Sequence, residues 1–181
     1  RASNKASPEP GLHGHGCNRK VGTLAHNPNV QALLARHVIT RSEEETIAFA
    51  RAFASELRPG SVVLLVGDLG SGKTTFVRGL ALGLSLDADV VVSPTFTLIQ
   101  EYRGQRSLYH VDLFRLQGAE IEDLGLEEIL AGDAIVAIEW AEKLKDRPAG
   151  AIEVRIADRG EDVREITILT PPRTGSSALP S

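Results

Sequence analysis

The chain has 181 residues, of which 42% are hydrophobic and 24% charged, and this composition fits one soluble globular domain with flexible ends. The net charge of −4 argues against a broad surface that coats nucleic-acid phosphates, and a single cysteine excludes an internal disulfide. The sequence contains no apolar run of the roughly 20 residues that span a bilayer and no hydrophobic signal core at its start. We therefore expect a cytoplasmic protein without a membrane segment.

The two ends of the chain differ in composition from its middle. Residues 1–36 mix Ser, Pro, Gly, Asn and His without periodicity and are predicted to be a disordered extension, and residues 171–181 are predicted to be a flexible tail. The extension contains three closely spaced residues of metal-binding type, which are His13, His15 and Cys17. We assign no metal site to them, because zinc needs a fourth ligand and a fold that holds it. The functional domain is predicted over residues 37–170.

A helix is predicted over residues 43–57. Ser42 and Glu45 form an S-x-x-E capping box at its start, and Pro59-Gly60 ends it. One face of this helix is apolar at helical spacing and carries Ile47, Ala50, Ala54 and Leu57. Residues 62–66 are all apolar and are predicted to form a buried strand.

The segment from Gly67 to Thr74 is a complete G-x-x-x-x-G-K-[ST] phosphate-binding loop. It lies between the strand at 62–66 and a helix predicted over residues 75–84, which is the context that the motif requires. Backbone N–H groups of such a loop surround a polyphosphate at a helix N-terminus. We therefore predict that a nucleotide binds at Leu69, Gly70, Ser71, Gly72, Lys73, Thr74 and Thr75. Lys73 is expected to reach the outer phosphates, and Thr74 to bind Mg²⁺ through its hydroxyl.

Apolar patterns and turn residues predict the remaining elements. Strands are expected at residues 98–102, 108–111, 134–138, 151–157 and 163–169. The last two strands alternate apolar and polar residues, which predicts an antiparallel hairpin. A short helix is expected at 119–131, although Gly125 weakens it. We therefore expect an α/β protein with the three-layer P-loop NTPase fold, a mostly parallel central sheet and a C-terminal antiparallel hairpin.

Two acidic residues stand at the ends of predicted strands. Asp112 follows the strand at 108–111, and Glu139 follows the strand at 134–138. Ligands of such sheets bind beyond the carboxyl ends of the strands, and hydrolysis of a nucleotide needs a carboxylate near Mg²⁺ and a group that orients water. We assign Glu139 to the metal and Asp112 to the positioning of water or of the metal's outer shell. On this reasoning the two roles are interchangeable, and a strand-end acid also serves to cap a turn.

Three further features have more than one interpretation. The Ser93–Thr97 segment is either a phosphate-sensing segment, with hydroxyls directed at Mg²⁺ or the γ-phosphate, or an ordinary entry to a strand. Trp140 is either a core residue or an exposed contact. His110 lies inside a strand pattern, which favours a structural histidine over a catalyst.

The sequence lacks the signatures of two other classes of P-loop protein. A Ras-like GTPase needs an N-K-x-D sequence after the loop, but the Asn4-Lys5 pair precedes the loop and lacks the Asp. A transporter ATPase needs a glycine-rich signature before its second acid, and Leu116–Glu120 does not supply one. A small-molecule kinase stays open, with Arg103, Arg106 and Arg115 as phosphate-binding residues of a lid.

Four motifs in order make the comparison more specific, and they are Gly67–Phe76, Ser93–Leu98, Tyr109–Leu116 and Ile138–Trp140. Together they resemble the TsaE (YjeE) family, the bacterial ATPase of tRNA threonylcarbamoyladenosine synthesis, over about residues 38–169. Ser71, Phe96 and Phe114 depart from the residues usual in the family and put no assigned role in doubt.

This resemblance implies an ATPase that acts with the TsaB and TsaD proteins. The three transfer a threonylcarbamoyl group to the adenosine beside the anticodon, and the chain meets tRNA through the complex. The resemblance further implies that Thr74 and Glu139 contact Mg²⁺, that Asp112 is required for hydrolysis, and that the adenine lies near Glu43. The expected cofactors are ATP and Mg²⁺, and the expected catalytic residues are Lys73, Asp112 and Glu139.

The sequence identifies no arginine that neutralises charge in the transition state. Because an arginine supplied by a partner raises the rate by about 10³ to 10⁵, we expect slow hydrolysis by the chain alone. Two alternatives stay open. One is a P-loop kinase that phosphorylates a small molecule, and the other is an adaptor that binds ATP without hydrolysing it.

Overall fold

A seven-stranded sheet forms the centre of the structure, a computed structural model that describes residues 34–171. The strands are β1 (Leu34–Thr40), β2 (Val62–Val66), β3 (Ile99–Tyr102), β4 (Leu108–Asp112), β5 (Ile135–Glu139), β6 (Ile152–Asp158) and β7 (Arg164–Thr170). The helices are α1 (Glu43–Ala54), α2 (Lys73–Gly83), α3 (Ala119–Glu122) and α4 (Leu126–Leu130), with a 3₁₀ helix at Ala141–Lys143. No helix in this part of the chain is long and apolar enough to cross a membrane.

The middle of the sheet is parallel, and both of its edges are antiparallel. The strand order is β1-β7-β6-β2-β5-β4-β3. Strands β6, β2, β5 and β4 are parallel, whereas β1 with β7, β7 with β6, and β3 with β4 pair antiparallel. The carboxyl ends of the central strands β2, β4 and β5 therefore lie side by side at one end of the sheet. There Glu139 is in register with both Asp112 and Leu65. The predicted C-terminal hairpin is the antiparallel pair of β6 and β7.

Alternate residues of β2 pack into two cores, one on each face of the sheet. Val63 and Leu65 pack with α1 and α2, whereas Val62 and Leu64 pack with residues of α3, α4 and the 3₁₀ helix. This follows from the two-residue period of a strand, and it explains why β2 is apolar throughout. The structure thus confirms the predicted three-layer α/β fold.

Ser42 fixes the start of α1, as its capping box predicts. Its hydroxyl accepts a 3.1 Å hydrogen bond from the N–H of Glu45, while the Glu45 carboxylate accepts one of 2.7 Å from the N–H of Arg41. The helix ends at Ala54, earlier than the predicted residue 57. Ser55 caps this end, because its N–H and its hydroxyl both donate to the carbonyl of Ala52.

The prediction of a single helix over residues 119–131 is wrong. Two short helices, α3 and α4, occupy this range and are separated at Gly125. Gly125 has φ = 66°, a left-handed conformation that glycine adopts readily and that a continuous α-helix does not allow. The glycine therefore breaks the helix rather than merely weakening it.

Strand β1 is not predicted from the sequence. This strand begins at Leu34, ahead of the boundary at residue 37, and pairs with β7 from Leu34 opposite Thr170 to Thr40 opposite Arg164. It is an edge strand in which Arg36 and His37 are exposed, so its hydrophobic pattern is weak. The preceding extension, with its three residues of metal-binding type, and the tail after residue 171 lie outside the described residues.

Candidate functional site

The phosphate-binding loop follows β2 and ends where α2 begins at Lys73, two residues before the predicted start of that helix. Gly72 precedes the helix with φ = 103°, a conformation that favours glycine. Gly67 is required for a different reason, because a Cβ atom there would lie 2.2 Å from the carbonyl oxygen of Ile156 on β6. These two glycines let the loop turn closely over the sheet edge.

The side chain of Lys73 is buried beneath the loop. Its Nζ donates hydrogen bonds of 2.7 and 2.8 Å to the carbonyls of Gly67 and Asp68, and it lies 4.0 Å from the centre of the Trp140 ring. Burial lowers the pKa of the Lys73 amine below its ordinary value, and nearby carboxylates oppose this effect, namely Glu139, Glu142, Asp112 and Asp68. The amine thus lies in a partly desolvated position beside the loop.

One oxygen of Glu139 joins three elements. Glu139 Oε1 accepts a 2.8 Å hydrogen bond from the Thr74 hydroxyl at the start of α2, and His110 Nε2 on β4 lies 2.8 Å from the same oxygen. Glu139 is only 3% exposed. The Thr74 hydroxyl and the Glu139 carboxylate are therefore adjacent. These two groups are the oxygen ligands that we predict for Mg²⁺ from the sequence.

Asp112 is joined to the Ser93–Thr97 segment. Its Oδ2 accepts hydrogen bonds from the hydroxyls of Ser93 at 2.8 Å and Thr95 at 2.6 Å, and its Oδ1 accepts one of 2.8 Å from the N–H of Phe114. In this structure two of the three hydroxyls of the segment, those of Ser93 and Thr95, therefore bind Asp112, a partner that is not predicted from the sequence.

An open cavity of about 330 Å³ lies beyond the carboxyl ends of β4 and β5. Eight predicted site residues line it, and they are Leu69, Gly70, Gly72, Lys73, Thr74, Thr75, Asp112 and Glu139. Trp140 and Phe114 form an aromatic wall, with ring centres 4.9 Å apart, so Trp140 faces this cavity. Ser71 does not line the cavity, because its side chain is buried and its N–H donates to the carbonyl of Asp68.

A second cavity, of about 240 Å³, lies on the other side of the loop. It shares Gly70, Gly72 and Thr75 with the first cavity and is also lined by Glu43 and Arg164. Sequence reasoning misses Arg164, whose guanidinium lies near Gly72. No local motif marks this arginine, since it reaches the loop only through the pairing of β7 with β6.

The three arginines proposed for a kinase lid do not line the first cavity. Arg103 forms an ion pair with Glu101, and Arg106 donates to the carbonyl of Leu57. Both precede β4 and so lie at the end of the sheet opposite the cavity. The Arg115 guanidinium lies 4.0 Å from the ring centre of Phe96.

The protein groups of this site fit Mg²⁺ in the presence of phosphates rather than alone. Between residues 34 and 171, no group of three or more His, Cys, Asp or Glu side chains is placed to hold a metal ion. Magnesium in nucleotide sites commonly takes one or two protein oxygens and completes its octahedron with phosphate and water. Thr74 and Glu139 supply such a pair.

Residues 40–166 match the family model of TsaE, the threonylcarbamoyl adenosine biosynthesis protein. The chain belongs to the TsaE family. A similar TsaE protein from Bacillus subtilis is 45% identical, and the alignment covers 71% of this chain and 81% of the relative. One from a Nostoc species is 45% identical, covering 72% of this chain and 84% of the relative. One from Rickettsia bellii is 44% identical, covering 73% of this chain and 93% of the relative. Among solved structures, YdiB of Bacillus subtilis superposes with a TM-score of 0.65 at 36% identity, covering 78% of this chain and 88% of YdiB.

TsaE membership confirms the resemblance drawn from the four motifs. All four lie within the matched region, and the family is involved in the biosynthesis of threonylcarbamoyladenosine in tRNA. The likeness to YdiB supports the P-loop fold over most of the chain.

Proposed function

We propose that the chain is an Mg²⁺-dependent ATPase that acts with TsaB and TsaD in the cytoplasmic synthesis of threonylcarbamoyladenosine in tRNA. The observation that carries this proposal is the 2.8 Å hydrogen bond between the Thr74 hydroxyl and the Glu139 carboxylate. It joins the phosphate-binding loop to the end of a neighbouring strand inside an open cavity. A loop that only capped a core helix would not need a buried carboxylate beside it.

The residues of the first cavity divide the work of holding and cleaving a polyphosphate. The N–H groups from Leu69 to Thr75 surround the phosphates, which requires that the Ser71 N–H leaves the Asp68 carbonyl. Lys73 exchanges its carbonyl partners for phosphate oxygens. Thr74 and Glu139 would hold Mg²⁺, which would offset the negative charge of the phosphates. Asp112, held by the hydroxyls of Ser93 and Thr95, positions the attacking water through an acceptor site that its present donors leave open.

The second cavity accommodates the nucleoside part of ATP. Glu43 and Arg164 face this cavity across the loop from the first one. Glu43 also pairs with Arg78 of α2, at 3.2 Å, so the start of α1 is tied to the helix that follows the loop. We assign nucleoside or phosphate contacts to both Glu43 and Arg164.

Two large apolar side chains beside the first cavity support a role with protein partners. Leu69 at the tip of the loop is 75% exposed, and Phe96 in the Ser93–Thr97 segment is 82% exposed. Exposed apolar residues that cluster around a site are typical of contact surfaces. TsaB and TsaD are the proposed partners, and we expect the Ser93–Thr97 segment to change the surface they meet when Asp112 changes its bonds.

A small-molecule kinase is less well supported, because Arg103 and Arg106 lie away from the cavity. An adaptor that binds ATP without hydrolysing it differs from our proposal only in the fate of ATP. The kinase predicts a phosphorylated metabolite, and the adaptor predicts no phosphate release even in the full assembly.

The proposal is tested by phosphate release from Mg·ATP, with and without TsaB, TsaD and tRNA. We expect slow release by the chain alone, acceleration by the partners, and a loss of about 10²-fold or more in Glu139→Gln. Glu142→Gln is the matched control, because Glu142 is close enough to influence Lys73 but does not line the cavity. Unchanged turnover in Glu139→Gln would refute our assignment of this carboxylate.

A further inference from the structure

His110 is a buried ionisable side chain to which the proposed mechanism gives no task. It is 0% exposed and lies on β4 two residues before Asp112, so both side chains lie on the same face of that strand. Its Nε2 atom lies 2.8 Å from Glu139 Oε1. Its Nδ1 atom is buried and has no hydrogen-bond partner among the described residues.

These contacts define which ring nitrogen carries the proton. An ionised carboxylate only accepts hydrogen bonds, so Nε2 must carry the proton that is donated to Glu139. A proton on Nδ1 would be a buried donor without an acceptor, which is unfavourable. We therefore place a proton on His110 Nε2, which donates it to Glu139 Oε1.

The bond from His110 restricts how the Glu139 carboxylate can turn. Glu139 Oε1 accepts one hydrogen bond from Thr74 of α2 and one from His110 of β4. Its other oxygen, Oε2, has no hydrogen bond within the described part of the chain. The terminal torsion of a glutamate is otherwise broad, with two equivalent orientations. Two donors on one oxygen hold that oxygen in place and so orient the other.

We propose that His110 is a positioning residue that orients Glu139 for Mg²⁺. This inference rests on the proposed Mg²⁺ site, but it does not depend on hydrolysis or on the partners. Groups that hydrogen-bond a metal ligand from outside the coordination sphere commonly change metal affinity by about 10- to 100-fold when they are removed. A histidine that only filled space in the sheet would have no such effect on metal binding.

Two variants separate positioning from packing. His110→Gln places an amide N–H near the position of Nε2, and His110→Leu fills similar space without a donor. Trp140 is the only tryptophan and faces the cavity, so its fluorescence reports the binding of a non-hydrolysable ATP analogue. The analogue is titrated in EDTA and at increasing MgCl₂, and circular dichroism checks that each variant is folded.

We expect the leucine variant to need about 10- to 100-fold more Mg²⁺ for half-maximal enhancement of binding, and the glutamine variant to stay within about threefold of the native chain. Affinity in EDTA should be unchanged in both. The proposal is overturned if the folded leucine variant shows the native Mg²⁺ midpoint, or if its affinity in EDTA falls by the same factor.

Nitrogen-15 NMR of the nucleotide-free native chain tests the hydrogen bond itself, even if the leucine variant does not fold. The chain has five histidines, and the signal lost in His110→Gln identifies His110. A protonated Nε2 and a bare Nδ1 support the inference, and the opposite tautomer overturns it while leaving the proposed ATPase intact. Conversely, absence of nucleotide binding by the native chain would refute the proposed function and with it the site that His110 serves.

Discussion

Thr95 Oγ1 donates a 2.6 Å hydrogen bond to Asp112 Oδ2, which joins the Ser93–Thr97 segment to the end of β4. Ser93 donates to the same oxygen at 2.8 Å, and the two hydroxyls are themselves 2.6 Å apart. Phe96, which is 82% exposed, directly follows Thr95, whose position these bonds help to set. A change at Asp112 during hydrolysis would therefore alter the surface around Phe96.

Replacement of Thr95 by valine should reduce hydrolysis more than it reduces nucleotide binding. The substitution keeps the shape of the side chain but removes a hydrogen bond to a carboxylate, which contributes about 1.5–3 kcal/mol or roughly ten- to a hundredfold in rate. We expect partner-stimulated phosphate release to fall by about that factor, with nucleotide affinity within about threefold. Thr97→Val is the control, because Thr97 is exposed. Equal effects of the two variants would argue against a role for the bond to Asp112.

Arg164→Ala should weaken nucleotide binding by roughly tenfold. The guanidinium lies beside Gly72 and lines the second cavity, and hydrogen bonds of charged groups to phosphate or ribose are among the stronger ones. Calorimetric titration of a non-hydrolysable ATP analogue measures the change. Arg159→Ala, on the same hairpin but outside the lining of the second cavity, should stay within about twofold. If both variants bind like the native chain, Arg164 does not contact the nucleotide.

As the pH rises, nucleotide affinity should begin to fall at a lower pH than it would with a lysine of ordinary pKa. Burial lowers the pKa of Lys73, and phosphates bind its charged form. Affinity is therefore fully present below that lowered pKa and is lost as the pH rises through it, by up to about tenfold per pH unit. Titrations from neutral to alkaline pH measure this profile. Lys73→Arg should give a flat profile, because a guanidinium stays charged, and an equally steep profile in that variant would assign the effect to another group.

Gly79→Ala should destabilise the fold although alanine favours helices. A Cβ atom at residue 79 of α2 would lie 2.5 Å from Ala50 Cβ and 2.6 Å from the Ile47 carbonyl on α1. The gain in helix propensity is about 1 kcal/mol, whereas overpacking costs about 1–3 kcal/mol and here involves backbone. We expect a lower free energy of unfolding in urea by about 1–2 kcal/mol. The control is Gly132→Ala, where the nearest atom to the added Cβ lies at 3.5 Å, so this variant should be nearly as stable as the native chain. A Gly79→Ala variant of native stability would show that α1 and α2 can move apart.

The sequence predicts the parts of the fold that have strong local patterns. The apolar strand β2, the loop from Gly67 to Thr74 and the acids that end β4 and β5 all occupy the places expected for them. Strand β1 is missed because an edge strand with exposed polar residues carries little hydrophobic pattern. The prediction of one helix over residues 119–131 is wrong because Gly125 adopts a left-handed turn conformation. The helical pattern on either side of Gly125 does not reveal this conformation.

Side chains brought together by sheet register are harder to predict. Arg164 reaches the loop only because β7 pairs with β6, and Thr95 meets Asp112 across 17 positions of sequence. His110 has the pattern of a core residue, and its contact with Glu139 follows from the parallel pairing of β4 and β5. Local motifs therefore identify the loop and the acids, whereas the residues that support them emerge from the structure.

Multiple-turnover modification of tRNA decides whether ATP bound at the loop from Gly67 to Thr74 serves the assembly. The assay contains TsaB, TsaD, tRNA and the threonylcarbamoyl adenylate, and compares the native chain with Lys73→Ala. Loss of the Lys73 amine, which lies against the loop carbonyls, should leave modification at no more than one round per complex, whereas the native chain with Mg·ATP should support many rounds. Equal multiple-turnover modification by both chains would contradict the proposal that ATP bound at this loop serves the assembly.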